Sequence, residues 1–216
     1  KNPTEIKNTI NAHIEDGLAL TRFIYWIKNV NKKKITEVYA QNKLEKFRKL
    51  NKDYLFPSFD TIAGAGSNGA IVHYRANKKT AKKIKQSDIL LLDSGGQYHY
   101  GTTDVTRTIS FSKQNTFIKN AYTNVLKGHI AVALTNLNKD NTGKKIDIRA
   151  RKFLKKEGQD YAHGTGHGVG FFLNVHEGPQ SISKHNSIKI KNGMILSNEP
   201  GFYKKNHFGI RIENLI

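Results

Sequence analysis

Ile89-Leu-Leu-Leu-Asp93-Ser-Gly-Gly-Gln-Tyr-His-Tyr-Gly-Thr-Thr-Asp104 runs an apolar segment straight into a carboxylate, turns on glycines and arrives at a second carboxylate. The apolar run reads as a buried strand and the glycine-containing stretch as a hairpin. Asp93 and Asp104 are therefore expected on adjacent strands, within reach of one centre. A carboxylate at the end of an apolar strand is costly to bury without a partner. Met194-Ile-Leu-Ser-Asn-Glu199 repeats that arrangement later in the chain.

Working outward, a strand texture of short β-rich pieces broken by glycine and asparagine begins at Phe59 and includes Ile71-Val-His73-Tyr74. It suggests a curved, mostly antiparallel sheet. Asn2-Pro3-Thr4-Glu5 reads as the start of a long helix, with Asn2 as cap and proline at the first helical position. Ile6, Ile10, Ile14, Leu18, Phe23, Ile24 and Ile27 are expected to form its buried stripe. Thr36-Glu37 opens a second helix running towards Leu50. Further helices are expected from Asn115 to about Asn138 and from Ile146 to Glu157, the latter stopped by Gly158. Strands are expected again at Val169–His176, Met194–Ser197 and Ile210–Leu215. The order helices, strands, helices, strands predicts an α+β fold of two similar halves, although no repeat is visible in the sequence itself.

Composition narrows the chemistry. The 216 residues contain no cysteine, which excludes disulfides and thiolate metal sites, suits a reducing cytoplasmic compartment and leaves oxygen and imidazole as metal donors. No apolar run is long enough to cross a bilayer. The formal charge of +19 raises the question of nucleic acid. Its lysines, however, are scattered in short knots such as Lys32-Lys33-Lys34 beside many asparagines, which reads as solvated surface rather than a nucleic-acid footprint.

His163-Gly-Thr-Gly-His167-Gly-Val-Gly has two histidines at the spacing a zinc-binding helix would use. Its alternating glycines, at roughly 1 kcal/mol each, oppose a helix. In an extended segment they mark a close approach of backbone or ligand. Asp93, Asp104, His167, Glu199 and Glu213 together form an oxygen-rich set with one imidazole, suited to two hard or borderline divalent cations. The reading from the residues alone is a two-metal hydrolase.

Leu-Asp93-Ser-Gly-Gly, Thr-Asp104-Val-Thr-Arg-Thr, the His163–Gly170 run, Asn174-Val-His176-Glu-Gly-Pro, Ser-Asn-Glu199-Pro-Gly and Gly-Ile-Arg211-Ile-Glu213-Asn, with Asn11-Ala-His13-Ile-Glu-Asp16-Gly near the start, resemble the catalytic domain of the Xaa-Pro aminopeptidases. Their enclosing class is the pita-bread metallopeptidases, alongside prolidase and methionine aminopeptidase. The resemblance implies a pita-bread fold over residues 1–216, without the family's N-terminal domain and shortened at its C-terminal end. It implies Asp93 on one metal, His167 and Glu199 on the other, and Asp104 and Glu213 bridging both. Two manganese ions are implied, and cobalt, zinc or iron would also suit the donors. Glu199 would shuttle a proton, His73 and His176 would contact substrate and stabilise the intermediate, and His163 would line the substrate pocket. Arg211 is expected beside a ligand carboxylate, at the edge of the substrate site. The implied partner is a peptide with proline at its second position; a homodimer is left open, and no membrane is involved. Prolidase action on Xaa-Pro dipeptides is the nearest alternative. A non-catalytic module that binds protein or nucleic acid is the alternative of another class. Glu213, three residues from the end, is expected on a poorly supported edge.

Overall fold

A computed structural model describes residues 1–173 and 175–216. The first half contains helices α1 (Pro3–Asn29) and α2 (Glu37–Arg48), followed by strands β1 (Tyr54–Pro57), β2 (Ile62–Ala65), β3 (Ile89–Ser94), β4 (Gly96–Tyr98), β5 (Gly101–Thr102) and β6 (Val105–Ser110). The second half contains α3 (Thr116–Ala133), α4 (Gly143–Lys155), β7 (Gly166–Gly168), β8 (Glu177–Ile182), β9 (Ser197–Asn198), β10 (Gly201–Lys204), β11 (Phe208–Arg211) and β12 (Asn214–Leu215). Every ladder pairing between these strands is antiparallel.

Local chemistry sets the helix starts. Asn2 accepts from the Glu5 amide while Glu5 reaches back to the Asn2 amide, completing a capping box ahead of Pro3. Thr36, Asn115 and Thr142 cap the other three helices in the same way through their side-chain oxygens. Several features of the first half recur 106 residues later, α2 (Glu37–Arg48) against α4 (Gly143–Lys155) among them. Thr36 bridges Lys83 as Thr142 bridges Lys189, and the same offset carries Asp93 onto Glu199.

Strand β3 is buried along its whole length, between β2 and β6. Leu90 and Leu92 pack with Leu20, Phe23, Ile27 and Leu44 of α1 and α2, whereas Ile89 joins Val125 and Leu154 of α3 and α4. Period-two alternation thus lets one strand serve two apolar layers. The second half has a smaller core of its own around Val132, Ile146, Ile182 and Leu196. Among the described residues, no helix is long and apolar enough to cross a membrane.

Several expectations are corrected. The buried face of α1 is Thr9, Ala12, Asp16, Ala19, Leu20, Phe23 and Ile27, so of the expected stripe Phe23 and Ile27 are buried, Ile24 packs at the core's edge, and the rest points away. Ile10, Ile14 and Leu18 are 55, 64 and 47% exposed. The cause is non-local: Asp16 turns inward to meet Arg48 of α2 at 2.6 and 2.9 Å, and Tyr98 donates to the same carboxylate at 2.8 Å. Ile71–Tyr74 is a turn rather than a strand. Of Val169–His176, Asn174 lies outside the described residues and the rest is irregular, the strand starting only at Glu177. Helix α3 stops at Ala133, and Ile210–Leu215 is broken into β11 and β12 around Glu213.

Removing one member of a buried ion pair strands the other charge, at a cost of about 3–5 kcal/mol. Arg48→Ala should therefore lower unfolding free energy by about that much in urea titrations, whereas Ile14→Ser should change it by less than about 0.5 kcal/mol. The reverse ranking would restore the isoleucine face as the buried one.

Candidate metal centre

The hairpin delivers its two carboxylates as the spacing implies. Asp93 lies on β3 opposite Thr106 of β6, and Asp104 immediately precedes β6. His167 sits at the middle of β7, Glu199 just after β9, and Glu213 between β11 and β12. A Cβ on Gly166 would overlap the Ser197 carbonyl oxygen, so the alternating glycines let β7 press against the strand that carries Glu199. His163 lies on a bend outside β7, yet lines the same cavity as His167.

All five side chains face one cavity of about 350 Å³, which His73, His163, His176 and Arg211 also line. Donor atoms of Asp104, His167 and Glu213 lie within 4.8 Å of one another. The His167 Nε2 atom is 3.4 Å from Asp104 Oδ2 and 3.5 Å from Glu199 Oε1. Asp93, Asp104 and Glu213 are buried, and His73 and His176 are exposed at the mouth. The rings of His167 and His176 lie 4.1 Å apart.

Their electrostatics show the cost of this crowding. Burial, then the charges of Asp93 and Glu199, push the Asp104 carboxyl well above its ordinary range. Burial, then Asp104 and Glu199, do the same to Glu213. Glu199 is pushed up to about 7, chiefly by burial. Burial and then the Arg211 charge lower His163 to about 4, so its ring is neutral.

Neighbouring groups hold three of the four carboxylates, those of Asp93, Glu199 and Glu213. Arg211 donates from Nη2 to Asp93 Oδ2 at 2.6 Å. The Thr106 hydroxyl donates to Glu213 Oε2 at 2.7 Å, and Ser197 to Glu199 Oε1 at 3.1 Å. Glu213 is not loosely held, contrary to the expectation from its place near the end. It is 1% exposed, its amide donates to the Thr106 carbonyl, and Arg107 donates to its own carbonyl at 2.7 Å.

Tyr203 was not singled out in the sequence. Its hydroxyl accepts from Arg211 at 2.7 Å and lies 2.8 Å from His163 Nε2, linking the Asp93 partner to the pocket wall. Tyr203 stands in an ordinary strand pattern, and only the partners across the cavity reveal it. Thr106 was legible in principle, because it follows Asp104 at the two-residue period of one strand face.

Within the cavity, the buried Asp93 Oδ1 has no hydrogen-bond partner among the described residues. An orphaned carboxylate oxygen beside three carboxyl groups whose charged forms are disfavoured is the pattern divalent cations relieve. Four carboxylates and one imidazole fit hard or borderline ions of that kind.

The model of metallopeptidase family M24 matches residues 7–216. The chain belongs to this family. A probable Xaa-Pro aminopeptidase P of Paracoccidioides brasiliensis is 47% identical over 222 residues, which take in 100% of this chain and 36% of that protein. The solved X-prolyl aminopeptidase of Caenorhabditis elegans, described as a cytosolic enzyme with a di-nuclear active site, superposes with a TM-score of 0.91 at 38% identity, covering 100% of this chain and 36% of that one. The prolidase of Pyrococcus horikoshii gives 0.88 at 32% identity, covering 100% and 59%. The chain therefore spans about a third of the length of the curated relatives it matches. Its fold is the pita-bread fold of these M24 enzymes, as the sequence motifs imply.

A carboxyl raised on folding binds its proton more tightly folded than unfolded. Its stabilising contribution is complete below the ordinary value of 4.5 and is lost as pH climbs through about 7. In chelator-treated protein, Glu199→Gln should thus unfold at a higher temperature than the parent at pH 8, and the gain should shrink towards pH 5. Equal midpoints at pH 8 would show that Glu199 carries no such penalty.

Proposed function

We propose that this chain is the catalytic part of an aminopeptidase that hydrolyses the bond between an N-terminal residue and a following proline. The observation that carries the reading is the convergence of four carboxylates and His167 on one cavity, in a family member whose relatives are named Xaa-Pro aminopeptidases. A cavity lined by carboxylates attracts a cationic amino terminus and repels a carboxylate.

In this reading Asp93, Asp104, His167, Glu199 and Glu213 would together hold two divalent cations. Manganese is the first choice, and the donors also accept cobalt, zinc or iron. Bound cations supply a water of lowered pKa and offset the charge that builds on the peptide carbonyl oxygen. The chain's own residues do the remaining work. Ser197 engages Glu199 Oε1, which leaves Oε2 to take the proton from the attacking water and pass it to the proline nitrogen. Arg211 holds Asp93 in place so that one oxygen faces the cavity. His73 and His176, at the mouth, donate to the substrate around the scissile bond, and neutral His163 walls the pocket through its bond with Tyr203. A cysteine-free chain similar to an enzyme described as cytosolic supports placement in the cytosol.

Prolidase action is the second reading, favoured by the likeness to the Pyrococcus horikoshii enzyme. A non-catalytic module is less consistent with five intact donors. With manganese added, the chain should release the first residue of an Xaa-Pro tripeptide at least as readily as it splits an Xaa-Pro dipeptide. Asp104→Ala should reduce turnover to background, and His176→Ala should lower kcat by about a hundredfold. Cleavage confined to dipeptides would establish the prolidase reading, and no cleavage of either would reject both.

A further inference from the structure

His129 lies on α3, outside the cavity, and the proposed chemistry makes no use of it. It is buried, at 8% exposure, and its ring spans the two strands that carry the glutamates. Nδ1 is 3.0 Å from the Asn198 carbonyl oxygen, and Nε2 is 3.1 Å from Asn214 Nδ2. Asn198 immediately precedes Glu199, Asn214 immediately follows Glu213, and the two asparagines are direct partners in the β9–β12 ladder. The Asn198 side chain returns a bond to the His129 carbonyl at 2.9 Å.

The protonation pattern follows from these partners. Arg107 donates to Asn214 Oδ1 at 2.8 Å, which turns the amide NH₂ towards His129. Nε2 must then accept, and the single ring proton sits on Nδ1, where it donates to the Asn198 carbonyl. A neutral imidazole in one tautomer is therefore a fixed spacer between the backbone beside Glu199 and the side chain beside Glu213. The helix beneath it is itself seated closely: a Cβ on Gly128 would overlap the Ala150 carbonyl of α4.

We infer that His129 is a positioning residue that sets the separation of Glu199 and Glu213, and so the affinity of the site for its cations, without touching either glutamate. The inference rests on the reading of those two glutamates as ligands. Groups that orient ligands from behind typically change metal affinity by about tenfold to a hundredfold when removed.

The test is calorimetric titration of the chelator-treated chain with manganese chloride, for the parent, His129→Ala, His129→Asn and Leu44→Ala. Asparagine keeps an amide donor near the Nδ1 position and loses the contact with Asn214. Leu44→Ala removes a fully buried side chain of the α1–α2 core. Manganese should bind His129→Ala about tenfold to a hundredfold more weakly than the parent. His129→Asn should fall between the two, and Leu44→Ala should match the parent despite lower thermal stability. If His129→Ala fails to fold, a parent-like affinity in His129→Asn overturns the inference and a weakened one supports it. Parent-like binding by a folded His129→Ala also overturns it. So does an equal loss in Leu44→Ala, which would make the effect one of general stability. A parent that takes up no manganese would overturn the ligand reading of the glutamates, and this inference with it.

Discussion

Four carboxyl groups brought into one small, largely buried cavity impose the constraint on which this structure turns. Burial first, and then the repulsion of like charges at short range, holds the carboxyls of Asp104, Glu199 and Glu213 above their ordinary pKa. Arg211 is the one cationic side chain hydrogen-bonded to any of them among the described residues. The scaffold has to hold the groups together, and divalent cations would remove the need for them to be protonated.

The holding is done by buried polar groups placed one or two residues from the cavity. Asp16 and Arg48 form a bidentate pair from which Arg48 reaches Ser94, the neighbour of Asp93. Glu37 is fully buried and accepts from the Ala65 and Lys82 amides, Asn68 and the hydroxyl of Tyr74, the neighbour of His73. Arg151, paired with Asp147, donates to the carbonyls of Tyr161 and His163, while Thr165 donates to Asp147. Thr106 and Arg107 secure Glu213. Satisfied networks of this kind rigidify what they touch and are costly to break in part. The site is thus positioned mainly through its neighbours, which suits a cavity whose own groups must remain free for ligand and substrate.

This division explains what could be read from the sequence. Asp93, Asp104 and the hairpin between them were legible because apolar run, turn glycines and carboxylate lie within one local pattern. The starts of α1, α2 and α3 were legible for the same reason, their caps being three residues from the groups they serve, whereas α4, expected from Ile146, begins at Gly143 behind a Thr142 cap. The buried face of α1 was not. Its isoleucines keep helical spacing, but the inward side is chosen by Arg48, thirty-two positions from Asp16. Ile71–Tyr74 and Val169–His176 look like strands from their apolar content. A strand also needs a partner edge, which a single segment does not announce. Tyr203 and His129 act only through residues distant in sequence and so have no local signature. The correspondence of the two halves was hidden because the pairs at the 106-residue offset keep their place in the fold and not their chemistry, as Asp93 and Glu199 illustrate.

If the cavity gathers its carboxylates to hold two divalent cations, as proposed, the 216-residue chain dialysed to equilibrium against micromolar manganese near neutral pH should carry two ions by elemental analysis. Replacing Asp104 or Glu213 by alanine should lower that number. A chain that retains no metal, or whose uptake ignores both substitutions, would contradict the proposal.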